Sequence, residues 1–284
     1  MNSAATGAAL GLSAAGVWGG ADFAGGLAAR RAPSLLVVAV AHGLSLLALL
    51  AVLPLAHESW PGLAPMLIPL LGGIAGGFGL VLFYYALSLG AMGLTAAVTG
   101  LATACIPVIF GFATEGLPRP IQLAGFAVAA IALWLITTTQ RASKVEMMPL
   151  LLGLGSGVCF SGMMISLKVG AAMHGVLWTL SAARLGSVLL TGTLLLSKLR
   201  NKALAVSRPG WFLLSVWAGA LDTSGNLLFT LATKAGRLDM ASILSSLYPA
   251  GTILLAAFLL HEHPTRRQWA GIALAMAAVL LVTA

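Results

Sequence analysis

The residues able to do chemistry in this chain are few and widely spaced. Asp22, Arg184 and Asp222 are ionisable side chains set inside long apolar stretches, where an uncompensated charge is costly and usually faces a cavity or a partner. Two readings of Asp222 stand side by side: a structural ion pair with Arg184, or a cavity carboxylate that meets an ammonium group or a proton. Asn226 follows one helical turn later on the same face and favours a polar cavity wall. Asp22 lies two turns before Arg30, so it is either a cavity carboxylate or a helix-end charge. His42 and Arg184 occupy corresponding places in the two halves of the chain, and Arg184 is expected to be structural. Lys168 and Lys234 fall at expected helix ends, where long basic side chains snorkel to headgroups.

Aromatic and hydroxyl groups complete the candidate set. Trp18, Phe83, Tyr84, Tyr85, Phe160 and Tyr248 could grip an apolar or aromatic solute, although the consecutive Phe83, Tyr84 and Tyr85 point about 100° apart and cannot all face one cavity. Thr99 and Thr103, one turn apart, and Ser245 and Ser246 could contact solute or satisfy helix backbone. His261-Glu262-His263 looks like a metal cluster but has no further ligands nearby, so no metal and no cofactor is expected. Cys105 and Cys159 both fall in apolar runs and read as small buried apolar residues. No nucleotide-binding motif occurs, no Gly-x-Ser-Gly nucleophile, and no Asp-x-x-x-Asp pair of the kind a prenyl-type transferase would need, so an intramembrane enzyme is not expected.

The elements that must position these groups follow from composition. Of 284 residues 60% are hydrophobic and 8% charged, against about 25% charged in soluble domains, and mean hydropathy is +1.02. A water-soluble fold of this length would lack polar side chains to cover its surface. The formal charge of +8 lies almost wholly in short connectors, which points to membrane orientation rather than nucleic-acid binding. With about 20 apolar residues per crossing, ten spans are expected near 6–28, 34–56, 64–88, 92–114, 120–139, 148–170, 176–197, 211–233, 239–260 and 266–283. The first is long enough to cross and has no basic leader, so it reads as a retained helix. Trp60, Trp178 and Trp211 sit at expected span ends and read as interfacial anchors. Gly72, Gly73, Gly76 and Gly77 form small-residue ladders suited to close helix packing. Pro107 and Pro249 fall mid-span, each removing a helix hydrogen bond, and are candidate hinges or static kinks.

An internal duplication organises the spans. Gly73 to Thr137 aligns without a gap on Gly219 to Thr283, pairing Gly79 with Gly225, Leu82-Phe83 with Leu228-Phe229, Gln122 with Gln268 and Gly125 with Gly271. About a quarter of the aligned positions are identical. Upstream, with a small shift, Gly16-Val17 meets Gly157-Val158 and Ala41-His42 meets Ala183-Arg184. Units of 1–140 and 141–284 with five spans each would enter the membrane from opposite sides, the inverted-repeat architecture common in secondary transporters.

These residues resemble the drug/metabolite transporter superfamily, specifically its ten-helix EamA-type members. Val17-Trp18-Gly19-Gly20-Ala21-Asp22-Phe23 is similar to that family's opening motif, with Asp22 where Asn is more usual. Pro107, Glu115 and Gly125 are echoed by Pro249, Glu262 and Gly271. The resemblance implies an all-α integral membrane fold with a central cavity, and export of amino acids or other small metabolites, aromatic or apolar ones included. The two five-span units and the mid-span Pro107 and Pro249 suggest alternating access about a midplane cavity, and a monomer in the lipid bilayer, in the inner membrane of a bacterium, is expected. Two alternatives stay open: a structural or lipid-scrambling protein, and a sugar-phosphate or nucleotide-sugar exchanger, which the lack of companion Lys or Arg at membrane depth argues against. Orientation divides the signals. Loops after odd-numbered spans hold ten Lys or Arg and the remaining loops and termini four, which puts both termini outside; the resemblance suggests inside. Four of those ten charges come from the single loop 198–208.

Overall fold

The computed structural model describes residues 3–89, 92–137, 147–200, 209–259, 261 and 263–283, and every regular element among them is helical. The helices are α1 (Ser3–Ala29), α2 (Ser34–Val52), α3 (Leu63–Ser88), α4 (Met92–Glu115), α5 (Pro120–Thr137) and α6 (Met147–Met173) in the first part. α7 (Val176–Arg200), α8 (Trp211–Ala235), α9 (Leu238–Ser245), α10 (Tyr248–Leu259) and α11 (Arg266–Thr283) follow. A 3₁₀ turn, Leu53–Ala56, prolongs α2.

Among the described residues six stretches are long and apolar enough to cross a bilayer: Ser34–Ala56, Leu63–Ser88, Val98–Glu115, Met147–Met173, Val176–Lys198 and Leu238–Leu259. The chain is an integral membrane protein, but the expected ten spans shrink to six on this measure. The reasons differ. α1 and α8, with 27 and 25 residues, are long enough but carry polar and small residues. α5 and α11 are described over 18 residues each, and both reach the limit of the described residues.

The expected ninth span is also not one helix. It breaks at Ser246 and Leu247 into α9 and α10. Ser245, Ser246, Leu247 and Tyr248 are all buried at the break, so irregular backbone is shielded from lipid as membrane folding requires. Ser246 N donates to Ser242 O at 3.0 Å and Ala250 N to Leu247 O at 2.9 Å. Pro249 therefore does not bend a continuous helix. It takes the second position of α10, where its missing N–H forfeits no bond. Pro107, by contrast, stays inside the unbroken α4.

The most extensive contacts pair α1 with α8, α3 with α6, and α5 with α11. Missing side chains set the approach. A Cβ on Gly73 would collide with the carbonyl of Ala183 in α7, and one on Gly219 with the carbonyl of Ala41 in α2. A Cβ on Gly125 would come within 2.8 Å of Val282, and one on Gly271 within 2.8 Å of Ile136. The N-termini of α5 and α11 are closed in the same way. Arg119 N donates to Gln122 Oε1 at 3.1 Å, and Thr265 N to Gln268 Oε1 at 2.8 Å, each a glutamine reaching back one turn to an orphan donor.

Charged groups at one end of the bundle are used as clamps. Glu58 accepts from the first free N–H groups of α7, Leu177 N at 3.0 Å and Trp178 N at 3.2 Å, which also neutralises the positive end of that helix. Trp60 packs edge-on against Trp178 at 4.6 Å. Lys168 does not snorkel as expected; its ammonium is ion-paired with Glu115. Glu115 in turn accepts from Leu238 N at 3.0 Å. Arg237 joins Asp239, which is fully buried, at 2.6 Å, and donates to Glu115 O at 3.0 Å. The ends of α4, α6 and α9 are thereby tied together. Cys105 and Cys159 are free; Cys105 is exposed on the outside of the bundle rather than buried.

Candidate functional site

A cavity opens in the middle of the bundle. Its polar wall is Asp22 from α1, Thr103 from α4, Asp222 from α8 and Tyr248, the first residue of α10. Its apolar wall is Trp18, Leu80, Phe160, Met163 and Met164. Free volume is about 40 Å³, room for roughly three water molecules. Helical spacing explains the convergence. Trp18 and Asp22 lie four residues apart on α1, and Phe160, Met163 and Met164 stand at i, i+3 and i+4 on α6, so each group shares one face.

Asp222 is held from behind by a buried network. Arg184 donates from Nη2 to Asp222 Oδ2 at 2.5 Å, from Nε to Thr223 Oγ1 at 3.1 Å, and from Nη1 to His42 Nε2 at 2.9 Å. A guanidinium has donors only, so His42 Nε2 must carry the lone pair and its proton sits on Nδ1. That N–H points at Ser187 Oγ, 2.5 Å away. Although His42 Nε2 also lies 3.3 Å from Asp222 Oδ2, protonating it would set two donors head to head against Arg184. The neutral tautomer is the one the geometry accepts. Asn226 Nδ2 adds a long contact to Asp222 at 3.4 Å, and its Oδ1 is buried without a partner.

Asp22 differs. No hydrogen bond or ion pair joins its carboxylate to any described residue, and Asp222 is near enough to repel it. The hydroxyls of Tyr248 and Thr103, both buried, also find no partner.

Of the candidates named from sequence, Trp18, Asp22, Thr103, Phe160, Asp222 and Tyr248 meet at this cavity. The others lie elsewhere. Phe83 is packed in the core against Phe160 and Tyr84. Tyr84 is buried over Gly25, its Oη donating to Ala21 O at 3.4 Å. Tyr85 points outward and is 49% exposed, as the 100° step between neighbours demands. Thr99 donates to Gly153 O of α6 at 3.0 Å, and Ser245 and Ser246 donate back to carbonyls of α9, Ser242 O and Ile243 O. Asn226 touches the cavity only through Asp222. Leu80, Met163 and Met164 carry no chemical signal in sequence, since apolar residues are everywhere in this chain. The one available hint is that the upstream alignment sets Met163 and Met164 opposite Asp22.

Residues 147–284 match the model of the EamA-like transporter family. The second half of the chain is similar to an EamA-like transporter domain. That half contributes α6 to α11, and with them Phe160, Met163, Met164, Asp222 and Tyr248 of the cavity. No curated protein matches the sequence. One solved structure, described only as the crystal structure of a protein, superposes with a TM-score of 0.77 over 98% of this chain and 98% of its own length, at 17% sequence identity. At that identity the likeness is one of fold.

Proposed function

We propose that the protein is a secondary transporter that carries small metabolites across the membrane by alternating access, exporting solutes with an apolar or aromatic body, amino acids among them. The observation that carries this reading is the broken ninth span. A discontinuous helix whose break borders a central cavity is a recurring device for holding solute at the midplane of secondary transporters, and here Tyr248 at the break lines the cavity. The inverted-repeat reading has support from packing: advancing each span by five turns the α1–α8 contact into the α6–α3 contact, and both are extensive. In this scheme the two five-span units rock about the cavity, one unfolding motion absorbed at the Ser246–Leu247 joint and its counterpart near Pro107 in α4.

The charge distribution favours both termini outside. A reporter fused to the C-terminus reads the orientation directly.

The test of the transport reading is a solute screen with purified protein in liposomes. Saturable, solute-specific flux is the expected result. Lipid movement across the bilayer without flux of any solute would establish the scrambling alternative instead.

A further inference from the structure

The charges around the cavity do not balance, and the imbalance specifies a ligand. Asp222 is neutralised by Arg184 at 2.5 Å, and His42 is neutral because its Nε2 accepts from the same guanidinium at 2.9 Å. All three guanidinium nitrogens are engaged within the network, and Arg184 does not line the cavity. Among the described residues around the cavity Asp22 alone has no counter-ion, so ionising it leaves the cavity with one net negative charge. Among the described residues no Lys, Arg or protonated His faces it.

We propose that this cavity is a site for a monocationic amine and selects against zwitterions and anions. The inference rests on the transport reading and departs from it on one point: solutes that carry a carboxylate, amino acids included, are excluded from the cavity. An ammonium head has donors and no acceptors. The cavity offers the matching set: the unpartnered Asp22 carboxylate and the buried hydroxyl oxygens of Tyr248 and Thr103, which have no other partner. The rings of Trp18, Tyr248 and Phe160 add π-faces that attract a desolvated cation, and Leu80, Met163 and Met164 receive a short apolar body. A free volume of about 40 Å³ holds roughly three heavy atoms, so a four-carbon amine enters as the flexible thioethers of Met163 and Met164 give way. An α-amino acid brings a carboxylate as well. That group would enter a space already holding two carboxylates, with no free cation to receive it, and a buried unpaired charge is strongly disfavoured.

The probe pair is isobutylamine and valine, which differ only by the valine carboxylate. Binding to the purified full-length protein is read by calorimetry and by tryptophan fluorescence. Isobutylamine is expected to bind at least tenfold more tightly than valine. Asp22→Asn should weaken isobutylamine at least tenfold, Asp22→Glu should keep most of the affinity, and the melting temperature of each variant reports whether it is folded. Valine binding as tightly as isobutylamine, no binding of isobutylamine, or a folded Asp22→Asn protein with unchanged affinity for it would each overturn the proposal. The wild-type comparison decides alone if Asp22→Asn does not fold. Saturable flux of zwitterions without amine binding overturns only this inference; absence of saturable flux for every solute in the liposome screen overturns the transport reading itself.

Discussion

Between α1 and α8, Gly225 makes room for the indole of Trp18; between α3 and α6, Gly79 makes room for Cys159 and Phe160. Gly79 and Gly225 are matched positions of the duplication, and so are Gly73 and Gly219, each seated on a carbonyl of a neighbouring helix. Charge is not matched. Asp222 of α8 corresponds to Gly76 of α3, which gives its space to the Met163 thioether, and Asp22 of α1 corresponds to methionine on α6. Contacts that set the distance between helix axes must recur if a fold is to be repeated, because a single Cβ would push the axes apart. Ionisable groups do not set that distance. They cost stability in a membrane and are retained where something must be bound. One helix pair is therefore frame, and its counterpart is frame plus chemistry.

The sharpest way to break that comparison is Arg184→Leu. It strands Asp222 and removes the donor to His42, and should cost about 3–5 kcal/mol in detergent unfolding, whereas Met163→Leu on the apolar pair should cost less than about 1.5 kcal/mol. Similar losses would mean that the buried network contributes no more than packing does. A smaller effect tests the shared frame: Gly73→Val and Gly219→Val should each destabilise by roughly 1–3 kcal/mol through overpacking, and a clear inequality would show that the two seats are not equivalent. Flux separates the fourth and ninth spans. Pro107→Ala restores a hydrogen bond inside a continuous helix and should slow transport several-fold with solute binding unchanged. Pro249→Ala, at a helix start, should change flux by less than about twofold. Equal loss of flux and binding at Pro107 would sink the hinge idea. Smallest of all, Ser156→Ala removes a 2.9 Å bond to Gly79 O and Thr252→Val a 3.1 Å bond to Gly19 O; both should cost about 0.5–1.5 kcal/mol, measurable in the same unfolding assay.

How much of this was legible in the sequence depends on the kind of signal. Apolar runs and repeated glycines are local and abundant, so the helical membrane fold and the close-packed faces of α3 could be read from Gly72, Gly73, Gly76 and Gly77 alone. The ion pair of Arg184 with Asp222 was one of two readings, and the structure has it together with cavity exposure, so the two were never exclusive. Tyr85 and Phe83 were named for ring chemistry, but which ring turns inward is set by helix rotation against neighbours, and rotation leaves no mark on composition. The break before Tyr248 was misplaced onto Pro249 because proline is the visible breaker. The actual joint falls at Ser246 and Leu247, whose residue types give no warning. Lys168 looked like a headgroup anchor until Glu115, 53 residues earlier, proved to be its partner.

His42 and Arg184 occupy matched positions of the duplication and touch each other at 2.9 Å. In an assembly of two identical half-length chains those positions would hold the same residue. Two arginines would confront each other across the contact, and two histidines would leave Asp222 without a cation. Joining the halves in one polypeptide lifts that restriction, because each position mutates alone. It also allows an odd number of uncompensated carboxylates at the cavity, which no symmetric pair of identical chains can present, and the proposed cationic ligand would then bind once per molecule.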